Sequence, residues 1–90
     1  MRTLSENLRA LWRLLADLSL DSYLLWRDEC REVQGAFERW ARSTGGERGP
    51  AFDAYLAALD REEAAASVYA MRLQTLGRVP TATRISEHER

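Results

Sequence analysis

Apolar side chains recur at alternating steps of three and four over three helix-sized stretches, and this period constrains the fold more than any other feature. The clearest run is Phe52, Tyr55, Leu59, Glu62, Ala66, Tyr69, Leu73 and Leu76, with a single carboxylate at its centre. Steps of three and four keep side chains on one face of a 3.6-residue helix, so the pattern predicts long amphipathic helices packed side by side. The fold class expected is all-α.

The first helix is expected over about 4–18. Thr3 and Glu6 match a capping box, and Leu4, Leu8, Leu11, Leu15 and Leu18 then follow in period, broadened by Trp12 and Leu14. The second is expected over 21–43, on Tyr23, Trp26, Cys30, Val33, Phe37 and Trp40. Leu18 to Tyr23 is a five-residue step, and one continuous helix would put Ser19 and Ser22 in line between Trp12 and Trp26. A break or sharp kink is therefore predicted at Ser19–Asp21, with Ser19 or Asp21 capping the next helix. With that break, the two-heptad spacing of Trp12, Trp26 and Trp40 reads as accidental.

The segment from Ser43 to Pro50 is the one strong loop. Gly45 suits a left-handed position after a helix, and Pro50 suits the first position of the next. Asp53 would then complement the positive end of the helix dipole. The third helix is expected over 50–76, stopped by Gly77, with 80–90 as a flexible polar tail behind a single domain of residues 1–79.

A short loop between the second and third helices predicts a long antiparallel hairpin, with the shorter N-terminal helix completing a three-helix bundle. The register that pairs Ser43 with Pro50 brings Trp26 against small residues around Ala66. It also brings Glu62 near Arg31 and Arg27, predicting an interhelical ion pair that specifies register more than it stabilises.

Composition excludes more than it identifies. Thirteen basic residues stand against fourteen acidic ones, for a formal net charge of -1, so bulk charge offers no attraction to polyanions. All thirteen are arginine, which points to a GC-rich bacterial genome. Cys30 is the only cysteine, which excludes an internal disulfide. The polar N-terminus and the lack of a long apolar run predict a cytoplasmic protein without a membrane span.

Catalytic constellations are missing. Cys30 lies on an apolar seam with no histidine nearby, and the glycines of the loop follow no strand and precede no lysine. Neither an enzyme nor a cofactor is expected. Glu29, Glu32, Glu62 and Glu63 form the one alternative metal set, without the histidine that helical di-metal sites add; His88 lies in the tail. A DNA-associated regulator is the second alternative, opposed by Asp21, Asp28 and Glu29 on the would-be recognition helix.

The surplus of leucine in the N-terminal helix predicts a partner. A three-helix monomer buries one stripe and leaves the rest exposed, which a homodimer would cover. The expected interface is Leu8, Leu11, Trp12, Leu15, Tyr23 and Trp26. The function expected is a small interaction or oligomerisation module.

Overall fold

A computed structural model describes residues 3–79. Two helices make up nearly all of it: α1, Leu4–Arg42, and α2, Arg48–Arg78. A single 3-10 turn, Gly45–Glu47, joins them. Arg48 donates to the Ser43 carbonyl at one end, and Arg72 reaches the Leu18 carbonyl at the other. The helices therefore run antiparallel, in one register along their shared length.

The predicted three-helix bundle is corrected to two helices, because α1 continues unbroken through Ser19, Leu20 and Asp21. The helices predicted over 4–18 and 21–43 are one. Neither Ser19 nor Asp21 caps anything. Ser19 Oγ donates to the Leu15 carbonyl at 2.8 Å, and Ser22 Oγ donates to the Leu18 carbonyl at 2.9 Å. Each hydroxyl is satisfied inside the helix, so it offers the backbone no alternative conformation. The five-residue step from Leu18 to Tyr23 joined residues on opposite flanks of the true seam, which passes through both serines. Trp12, Trp26 and Trp40 consequently share one position of a continuous heptad.

The helix ends follow local chemistry. Thr3 Oγ1 accepts from the Glu6 amide while a Glu6 carboxylate oxygen accepts from the Thr3 amide, closing the capping box. Gly45 takes φ of +57°, a conformation that costs glycine little. α2 begins two residues before Pro50, which falls in the first turn, where amides lack intrahelical partners in any case. That earlier start leaves Asp53 beyond the first turn, so its predicted dipole role lapses. At the other end α2 runs past Gly77 to Arg78. The predicted polar tail, 80–90, lies outside the described residues.

Small residues line the contact. Among the described residues the buried side chains are Ala36, Ala58 and Ala65 together with Ser19, Ser22 and Ser43, and no large side chain is fully buried. Extending the register by heptads puts Trp26 abreast of Ala65, Val33 of Ala58, Ala36 of Tyr55 and Trp40 of Ala51. Large faces small in each layer, which lets two backbones approach without a void. Aromatic rings close the seam at two places. Trp40 stacks on Tyr55 near the turn, with centroids 5.6 Å apart, and Trp26 stacks on Tyr69 at 5.9 Å.

The outcome is a single layer. Its principal extents are 67 × 28 × 13 Å and its radius of gyration is 20.2 Å. A compact chain of this length would have a radius near 12 Å. Domains ordinarily bury a core between two layers; this one has no second layer among the described residues.

Candidate interaction surface

A single layer leaves each helix with apolar flanks that the other does not cover. Leu4, Leu11, Leu18 and Leu25 stand seven residues apart on one flank of α1, with Leu14 between Leu11 and Leu18. All five are exposed, from 36% at Leu18 to 74% at Leu4. By heptad position Val68 and Met71 of α2 lie on the same side, and both are exposed as well. Toward the turn this side becomes charged, through Glu32, Arg39 and Arg61. The apolar half is thus the open end of the pair.

α1 also outruns α2. With Arg72 bonded to Ser22 Oγ and the Leu18 carbonyl, Val79 comes abreast of about Trp12. The segment Leu4–Leu11 therefore extends past the described end of α2 by about 12 Å. Leu11 and Trp12 of the predicted interface are exposed there, while Leu8 and Leu15 are half-buried.

Tyr23 and Trp26 of the predicted interface are half-buried and packed against aromatic neighbours of the chain. Tyr23 packs on Tyr69 with centroids 5.5 Å apart, and Trp26 touches both rings, so the three form one aromatic cluster within the chain. Tyr23 and Trp26 face α2 because α1 is continuous and its seam points there. On that side an open groove of about 160 Å³ is lined by Ser19, Leu20, Tyr23, Tyr69 and Leu73.

The predicted ion pair of Glu62 with Arg31 and Arg27 is replaced by other contacts. Glu62 accepts from the Trp26 indole N–H at 2.8 Å, and the Cys30 thiol lies 4.0 Å from the same oxygen. Arg31 pairs with Asp28 at 3.2 Å on the exposed face, and Arg27 lies over the Tyr23 ring. Among the described residues neither arginine forms a salt bridge with Glu62.

The four glutamates of the alternative metal set are not brought together. Glu29 and Glu62 meet on one layer, but Glu29 turns to Arg61 at 3.4 Å and Glu62 to Trp26. Glu32 and Glu63 point to different sides and are exposed. Among the described residues no group of three His, Cys, Asp or Glu side chains could hold a metal ion.

Arg72 is the polar residue that sequence reasoning missed. Its guanidinium occupies a seam position where an apolar side chain is usual, donating to Ser22 Oγ at 2.7 Å and to the Leu18 carbonyl at 2.9 Å. The signal was present in the heptad that runs Ala51, Ala58, Ala65 and Arg72, and in the two serines that make room for it. Among the described residues no buried polar side-chain atom is left without a partner, and no helix is long and apolar enough to cross a membrane. No family model, curated protein or solved structure matches this chain.

Proposed function

We propose that this chain is a non-enzymatic helical interaction module that associates with itself through the N-terminal part of α1. One observation carries the reading: a single layer of two helices exposes a continuous row of leucines, Leu4 to Leu25, that leads onto a segment of α1 extending past the described end of α2. Soluble monomers rarely present so large a contiguous apolar strip, and a second copy is the commonest cover. Arginine-only usage and a single half-buried cysteine support a bacterial cytoplasm as its setting.

Size exclusion with light scattering over about a hundredfold range of concentration tests this, since association responds to mass action. The expected mass is that of a dimer or larger. The double substitution Leu11→Glu and Trp12→Glu, at exposed positions, should return a monomer with unchanged helical circular dichroism. A wild-type monomer at every concentration would end the proposal.

A further inference from the structure

We infer that the second copy pairs with α1 antiparallel, about a two-fold axis near Leu14, so that the open ends overlap and the turns lie at opposite poles. This rests on the self-association proposed above and specifies its geometry.

Three observations lead to it. The leucine row is centred between Leu11 and Leu18, where Leu14 is 56% exposed. A two-fold axis there sets Leu4 opposite Leu25 of the partner and Leu11 opposite Leu18. The overlap then ends near Leu25, where the flank turns to Asp28 and Glu32, so the charged half stays in water.

Charge decides between directions. Parallel pairing in register would stack Asp21 on its own copy and Asp28 on its own copy, a repulsive arrangement at close range. Antiparallel pairing brings Asp21 near Asn7 of the partner, an amide that can donate to it. The overhang gains a neighbour too. Leu4–Leu11 of each copy lies along the other copy's Leu25 and Val68, completing a second layer where the described residues of one chain have none.

The area is of the order a small specific interface needs. The exposed surface of the five leucines, with Val68 and Met71, approaches the roughly 600 Å² per partner at which specific interfaces begin.

Disulfide trapping in a Cys30→Ser background tests the geometry, with light scattering run on the same samples. Leu14→Cys should cross-link to itself under mild oxidation. Leu25→Cys should self-link at least about tenfold more slowly, yet pair readily with Leu4→Cys on a second, tagged copy, because proximity sets the effective thiol concentration. If Leu25→Cys self-links as fast as Leu14→Cys, the copies are parallel and the inference fails. A dimer in which none of these cysteines links places the interface elsewhere and also overturns it. A monomeric mass defeats self-association itself, a separate result from either.

Discussion

The indole N–H of Trp26 donates to a carboxylate oxygen of Glu62 at 2.8 Å, joining the centres of the two helices. The bond explains why a carboxylate occupies the middle of an otherwise apolar seam. Glu62 gives Trp26 an acceptor, while the aromatic faces of Trp26 and Tyr69 stack beside it. The indole is thus both packed and satisfied, as half-buried tryptophan requires.

Glu62→Leu should destabilise the fold by about 1–2 kcal/mol by leaving the indole donor unpaired, whereas Glu62→Gln, which keeps an acceptor, should cost much less. Urea denaturation followed by tryptophan fluorescence separates them. Equal losses in the two variants would mean that charge, rather than the hydrogen bond, is what the seam uses.

Arg72 holds α2 to α1 near the open end through Ser22 Oγ and the Leu18 carbonyl. Arg72→Ala should cost about 1.5–3 kcal/mol, the range for hydrogen bonds to a charged group. Hydrogen exchange should rise first in α2 after Tyr69. An increase confined to the turn would contradict this placement.

Ala58 is 1% exposed and sits where the two backbones approach. Ala58→Leu should destabilise by about 1–3 kcal/mol through overpacking, although leucine is nearly as good a helix former. Ala57→Leu, one residue earlier and exposed, should change stability by less than about 0.5 kcal/mol. Thermal melts of the two variants make the comparison.

Continuity of α1 is tested by proline. Leu20→Pro removes a backbone donor and sets its ring against the preceding turn, at about 3 kcal/mol or more inside a helix. In a chain with a turn at Ser19–Asp21 the same change would be nearly neutral. Circular dichroism and denaturation should show the large loss.

Helical periodicity made the all-α class legible, because steps of three and four are a local property of the chain. The capping box at Thr3 and Glu6 and the left-handed glycine at Gly45 were legible for the same reason: each is decided within a few residues. Reading only large apolar side chains as core led away from the true seam. It placed a break at Ser19–Asp21, where the helix is continuous.

The sequence by itself determined that this chain forms amphipathic helices with more leucine than one stripe can bury, since period and propensity act locally. Only the tertiary structure decided which face turns inward. Two long helices gain most where their backbones come close, so serine and alanine took the seam, and Arg72 and Glu62 entered it where facing groups could satisfy them. The leucines, too bulky for that close approach, were left on the flank of a single layer, which is the surface proposed for interaction.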